Sequence, residues 1–230
     1  MAVGQKIYHF LWKFFGILFG LSLCFVLLFR YVPVCLTPLM LIRAGEQLAA
    51  GKKPQLQHTW VSIEAISANL TLAVICSEDQ NFINHFGFDL KAIERSLAAA
   101  KKGTKRLRGA STISQQTAKN VFLWPGRSWV RKGLEVYFTV LIELAWSKER
   151  ILEVYLNSIE MGNGIYGAEA AAQHYFKKNA KNLSRTQAAA LAAVLPNPRE
   201  YRPHPPSRYI SRRIDWIVGQ MRQFGPLNLK

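Results

Sequence analysis

The chain is poor in acids, with fourteen Asp+Glu against thirty Lys+Arg in 230 residues, so its formal net charge is +16. It has little cysteine, three residues, and few charges overall, 19%. Three cysteines in a chain this long exclude a disulfide framework. A sequence that is half hydrophobic and 12% aromatic cannot be a disordered basic tail, which would be polar and short of aromatics. Strong two-residue alternation of the strand type is missing, as are internal repeats and low-complexity tracts. The length suffices for one domain with a core, plus an appendage. Three partner classes suit the charge: nucleic acid, an anionic membrane, or a phosphorylated substrate.

What is present first is an uncharged run, residues 14–29, reading FFGILFGLSLCFVLLF. As a helix it spans about 24 Å, against a hydrocarbon core of about 30 Å. Lys13 and Arg30 flank it and can snorkel, and Pro33 and Pro38 oppose a straight continuation. The span is expected to end near residues 32–34. A cleaved signal peptide would need a small-x-small site after the run, and none follows at a suitable place. Leu23 before Cys24 argues against a lipoprotein signal. An uncleaved, single-pass anchor is the expectation. Charge does not orient it, because Lys6 and Lys13 precede the span while Arg30, Arg43, Lys52 and Lys53 follow.

Residues 1–43 are read as anchor and juxtamembrane segment, 44–60 as a connector, and 61–230 as one α-rich domain. Helices are expected over 61–75 and 90–100, and from an N-cap at Ser111 to about residue 123. Ser128 and Ser147 cap two more. Ser184 to Gln187 matches a capping box before an alanine-rich run. Five of the ten prolines fall in 196–206 and mark a loop, and 209–224 reads as the last helix.

Two segments carry chemistry. Residues 78–89 place Glu78, Asp79, Asp89 and His85 after an apolar helix. Burial and a neighbouring carboxylate both raise a carboxyl pKa, which is what a general base near neutrality needs. An ordinary polar turn after a helix is the plainer alternative. Ser111, Gln115 and Lys119 then recur at helical spacing as a polar stripe ending in a cation, and Arg127, Arg131 and Glu135 repeat the spacing. Such stripes are commonly solvated faces. Neutral donors followed by cations, with Gly109 and Gly126 nearby, suit an anion with many oxygens, such as a pyrophosphate.

Three other features carry less. Gly162, Gly164 and Gly167 match G-x-G-x-x-G, but a helix pattern rather than a strand precedes them, which argues against a dinucleotide site. The basic run 101–108 lacks interleaved aromatics, so nucleic acid is set aside as a partner. None of the cysteines has metal-ligand spacing with a histidine, and Cys76 reads better as a buried filler than as a nucleophile.

Together the segments resemble the peptidoglycan glycosyltransferase family, in its monofunctional biosynthetic form from Gram-negative bacteria. The resemblance covers about 60–224. It rests on Glu78-Asp79-Gln80-x-Phe82-x-x-His85-x-Gly87-x-Asp89, on the run from Arg108 through Ser111 and Thr112 to Gln116, and on Arg131-Lys132-x-x-Glu135. It continues through Lys148-x-x-Ile151 to Tyr155 and Asn157, and through Gly164-x-Tyr166-Gly167 to Tyr175 and Phe176. Five motifs in the family's order and spacing are specific.

The resemblance implies a mainly α fold: a single-pass N-terminal membrane helix, then a two-lobed, lysozyme-like helical glycosyltransferase domain with a membrane-embedded jaw. It implies polymerisation of lipid II into glycan strands, with inversion at the donor anomeric carbon and release of undecaprenyl pyrophosphate. Glu78 falls on the family's catalytic base and Glu135 on its second active-site acid, whose role is positioning or holding a divalent ion. Lys119, Arg127 and Arg131 fall on cations facing the pyrophosphate. Asp79, Phe82, His85, Ser111, Thr112, Gln115, Gln116 and Asn157 complete the expected substrate-binding set. No cofactor is required by the sequence, and Mg²⁺ or Mn²⁺ is compatible with it. The expected partners are lipid II, the growing glycan chain, inner-membrane lipids, and proteins of cell-wall synthesis and division. The expected location is the bacterial inner membrane, with the catalytic domain in the periplasm. Transpeptidase motifs S-x-x-K and K-T-G do not occur as a pair, so a monofunctional enzyme is expected. The competing reading is a lysozyme-like hydrolase or lytic enzyme acting on the same glycan.

Overall fold

A computed structural model describes residues 3–101, 111–126, 128–225 and 227. The chain divides into two units, Met1–Pro33 and Val34–Lys230. The first unit is helix α1 (Val3–Phe29). Its stretch Ile7–Phe29 has a mean hydropathy of 2.2 and is long and apolar enough to cross a bilayer. Phe10, Trp12, Phe15 and Ile17 are all more than half exposed, so apolar groups cover the helix all round. The helix stops at Phe29, slightly before the expected 32–34, and a turn carries Val32 N back to Leu28 O.

The second unit is built mainly from helices. It opens with α2 (Pro38–Ala49), capped by Thr37 and started by proline, which crosses the expected boundary between anchor and connector. Then come strand β1 (Gln57–His58), α3 (Ala68–Glu78) and α4 (Leu90–Lys101). Next are α5 (Ile113–Phe122), α6 (Trp129–Ala145) and α7 (Lys148–Ser158). Strands β2 (Glu160–Gly162) and β3 (Ile165–Tyr166) precede α8 (Ala168–Phe176), α9 (Arg185–Val194) and α10 (Arg208–Phe224).

Local chemistry accounts for most boundaries. Ser128, Ser147 and Ser184 cap α6, α7 and α9 as expected, each hydroxyl accepting from an N3 backbone N–H. Two boundaries differ from expectation. Helix α3 begins at Ala68, capped by Ser67, because residues 63–65 form a separate 3-10 turn. Helix α5 is capped by Thr112 rather than Ser111. Thr112 has Gln115 three residues on, and the two close a capping box. Ser111 would face Ser114 at that spacing, too short to reach back, and the Ser114 hydroxyl donates to Glu143 instead.

The small sheet has strand order β1-β3-β2, with β1 parallel and β2 antiparallel to β3. Strands of two or three residues are too short to show alternation, so no sequence period announces them. The G-x-G-x-x-G run is their hairpin plus the start of α8. At Gly167 φ is +82°, and a Cβ there would lie 2.6 Å from the Asn157 carbonyl oxygen. Only glycine fits so close an approach in that backbone region.

Packing forms two helical groups. Helix α3 is buried from Leu70 to Cys76 and packs against α9 and α10. The alanines of α9 permit that close approach. Helix α5 packs against α6 and α7. The C-terminus of α3 and the start of α5 are tied by Asp79, whose Oδ2 accepts from Ile113 N at 2.9 Å. That tie brings the two chemistry-bearing segments together.

Candidate active site

Two cavities share Ser111. The first, about 500 Å³, is lined by Gln115, Gln116, Lys119, Arg131, Lys132 and Glu135 and by the far residues Arg43 and Glu160. The second, about 460 Å³, is lined by Glu78, Asp79, Asp89, Lys91, Arg95 and Thr112, with Trp216 from α10. The candidate base and the candidate anion-binding cations therefore occupy adjoining spaces.

Glu78 is the last residue of α3, where the helix dipole repels negative charge. Its neighbours are mostly neutral donors. Gln116 Nε2 donates to Oε2 at 3.1 Å, and the Ser77 hydroxyl donates to Oε1 at 3.2 Å. Arg213 Nη2 lies 3.9 Å from Oε1 and donates to the Ser77 hydroxyl at 3.2 Å. The Gln116 amide is oriented from its other side, because the Tyr155 hydroxyl donates to its Oε1 at 3.3 Å. Complete burial, aided by the charges of Glu78 and Asp79, pushes the Tyr155 phenol well above its ordinary range. Tyr155 thus stays a neutral donor, and the relay Tyr155–Gln116–Glu78 has one direction.

Glu135 is held differently. Its side chain is 4% exposed, Arg131 Nη1 donates to Oε2 at 2.8 Å, and Lys132 Nζ bonds Oε1. Both oxygens face cations. The Lys119 ammonium, on the neighbouring helix, has no hydrogen bond or ion pair among the described residues, although the residue lines the same cavity. Burial lowers its pKa, Glu135 and Glu78 work against that, and Arg131 and Lys132 add to it. A desolvated ammonium without a bonded partner is a strong site for an anion.

The other expected residues divide between wall and frame. Asp79 lines the second cavity, but its oxygens are taken by Ile113 N and by His85 Nε2, 3.0 Å from both. Thr112 and Gln115 line cavities while closing the capping box. Phe82 is 0% exposed, lies outside both walls, and has Lys148 Nζ 4.7 Å from its ring centroid. His85 braces Asp79. Asn157 ties α7 to the segment before α3, donating to Val61 O and accepting from Val61 N. Arg127, Arg108 and Gly109 lie outside the described residues, as does most of the basic run 101–108. Cys76 sits on the second cavity wall, where burial pushes its thiol up to about 11, so it is a neutral filler rather than a thiolate.

Sequence reading assigns no site role to Lys132, Tyr155, Arg213, Arg43 or Glu160. Lys132 and Tyr155 stand within the motifs, so their spacing was available as a signal. Arg213 and Arg43 come from helices far away in sequence, and nothing local marks them.

The described residues offer Mg²⁺ or Mn²⁺ no preformed cage of protein ligands. Among the described residues no three His, Cys, Asp or Glu side chains converge, and both Glu135 oxygens are already matched by cations. Lys119, Arg131 and Lys132 line the first cavity on that side.

A carboxylate on the wall of one cavity, with the unpaired Lys119 ammonium in the adjoining one, suits group-transfer chemistry. Comparison with known proteins agrees. The family model described as "Transglycosylase" matches residues 44–222. A biosynthetic peptidoglycan transglycosylase of Bacteroides thetaiotaomicron is 55% identical over 92% of this chain and 86% of that protein. Proteins of the same name from Haemophilus influenzae (54% identical, 87% of this chain, 82% of theirs) and Chromohalobacter salexigens (57%, 90% and 88%) are similar too. The chain belongs to the transglycosylase family.

Proposed function

We propose that this protein is a membrane-anchored peptidoglycan glycosyltransferase that polymerises lipid II. The observation that carries this is the pairing of Glu78 with the cation cavity across Ser111. An acceptor hydroxyl is a poor nucleophile, and Glu78 takes its proton. The hydroxyl oxygen then bonds to the donor anomeric carbon from the face opposite the leaving group. The bond to pyrophosphate breaks, its electron pair stays on the pyrophosphate, and configuration inverts. Lys119, Arg127 and Arg131 stabilise that developing charge. Pyrophosphate leaves readily, so a strong acid is dispensable. Glu135 aligns Arg131 and Lys132 rather than moving protons.

Single-pass anchoring by Ile7–Phe29 fits a lipid-linked substrate, and polymerisation of a cell-wall glycan is the ground for proposing that the catalytic unit lies on the periplasmic side. Inner-membrane lipids and other cell-wall synthesis proteins are its proposed partners, and we propose 61–230 as the catalytic domain behind anchor and connector.

The test is incubation of the full chain with purified lipid II. Polymer plus released undecaprenyl pyrophosphate is expected. Shortening of preformed glycan with lipid II untouched would instead establish a lysozyme-like hydrolase.

A further inference from the structure

A third cleft, about 580 Å³, lies against the first cavity, and Pro198 belongs to the walls of both. Its lining brings together Arg199, Arg202, His174, His204, Tyr175 and Tyr201, and no carboxylate lines it. Neither arginine has a hydrogen bond or ion pair among the described residues. Arg199 sits in the turn where Glu200 N and Tyr201 N bond back to Asn197 O. The rings, by contrast, are braced. Tyr201 packs on Tyr209 with centroids 5.4 Å apart, and His204 lies 6.1 Å from Phe176. The Tyr175 hydroxyl donates to Met161 O at 3.4 Å, and His174 Nδ1 is 3.2 Å from the Gln57 amide oxygen.

In the wall of the first cavity and on the strand beside it, polar groups remain unsatisfied. Glu160 Oε1, Tyr166 Oη and Arg43 Nε are buried without a hydrogen-bond partner among the described residues. Glu160 and Tyr166 face each other across β2 and β3. The charges of Arg43, in the first cavity, and of Arg199, in the cleft, both act on the Glu160 carboxylate, so the two spaces are electrostatically linked. Fixed rings with polar edges suit sugar faces, and an unmatched guanidinium fork suits a carboxylate.

We propose that the cleft of Arg199 and Arg202 is a holding site for the growing glycan strand as it leaves the first cavity, with the two arginines binding carboxylates of the strand's peptides. This rests on the proposed polymerase reading. The first cavity takes the pyrophosphate end of the donor at Lys119 and Arg131. Sugars added earlier extend away from that end, and the passage over Pro198 leads to a cleft with the complementary chemistry. The strand dissociates more slowly when held at a second place, so the cleft sets product length rather than the rate of bond formation.

The experiment compares the full chain with the double variant Arg199→Ala/Arg202→Ala in lipid II polymerisation. Initial release of undecaprenyl pyrophosphate should stay within about 2-fold, while mean strand length falls at least ~3-fold. Binding of purified uncrosslinked glycan-peptide strands should weaken about 10-fold, as expected for lost charge-assisted hydrogen bonds. Arg199→Lys/Arg202→Lys should recover part of both, which also controls for folding. An unchanged length distribution overturns the proposal. So does a fall in initial release as large as the fall in length, because the arginines would then act in the transfer step. Anionic vesicles lacking lipid II should bind both proteins equally, and loss of vesicle binding at unchanged strand length would make the cleft a headgroup site. If the wild-type chain makes no polymer, the polymerase reading fails, and the strand-binding comparison still decides the cleft.

Discussion

Glu78 and Glu135 are two carboxylates of one active site with opposite surroundings. Glu135 has a cation on each oxygen, whereas Glu78 has a glutamine, a serine and an arginine at 3.9 Å. A carboxylate clamped by two cations has its lone pairs committed. One held by two neutral donors, with its arginine farther off, is not committed in that way. The difference matches the roles proposed above, Glu78 as the base and Glu135 as the counter-ion that positions Arg131 and Lys132. It also explains why Lys119, left without a bonded partner, is the strongest remaining anion site in the first cavity.

The contrast can be broken most decisively at Glu78. Glu78→Gln keeps the shape and removes the base, so lipid II turnover should drop by about 10³-fold or more, with the thermal midpoint nearly unchanged. Substantial residual turnover in a polymerisation assay would remove Glu78 from its role.

Lys119→Ala is the next largest. Loss of one preorganised cation at a developing anion costs about 3 kcal/mol, or roughly 10²-fold in turnover. The pH dependence sharpens it. Only the ammonium binds an anion, so affinity for undecaprenyl pyrophosphate is lost as pH rises through the Lys119 pKa. Burial lowers that pKa, so the loss should begin below the range of an exposed lysine, ordinarily about 10.4. Lys119→Arg should move the alkaline limb upward, and an identical limb in both proteins would detach it from Lys119.

Glu135→Gln leaves Arg131 and Lys132 facing each other without their counter-ion. Breaking this partly exposed cluster costs about 2 kcal/mol of stability, read in a denaturant melt, and turnover should fall less than for Glu78→Gln. A loss of turnover as large as that of Glu78→Gln would reverse the two proposed roles.

The smallest effect is at Tyr155→Phe. The Gln116 amide loses its orienting donor, worth about 1 kcal/mol, so turnover should fall by up to ~10-fold with the KM for lipid II nearly constant. A change confined to KM would show that the relay serves binding rather than the base.

Much of this was legible in the chain. The 14–29 run announced an apolar helix, which extends over Val3–Phe29. Serines at 128, 147 and 184 marked helix starts, since a cap is a local hydrogen bond between residues three apart. The same rule applied to Ser111 erred by one position, because both Ser111 and Thr112 fit the pattern and only the side chain three residues on decides. Strands β2 and β3 and the start of α8 lay hidden behind a glycine pattern with a more famous meaning, and β1 is too short to announce itself. Glu78, Lys119, Arg131 and Glu135 were nameable because motif spacing places them on helices in a fixed order.

What the linear chain determined by itself is therefore the set of reactive groups and their local secondary structure, both governed by interactions over a few residues. Tertiary structure decided which group does what. Asp79 and His85 sit beside Glu78 in sequence, yet folding spends them on binding α5 to α3. Arg213, far along the chain, comes to Glu78, and Arg43 comes to Glu160. Whether a carboxylate serves as a base or as a counter-ion depends on the charges within a few ångströms of it, and those arrive from helices that meet only when the core closes.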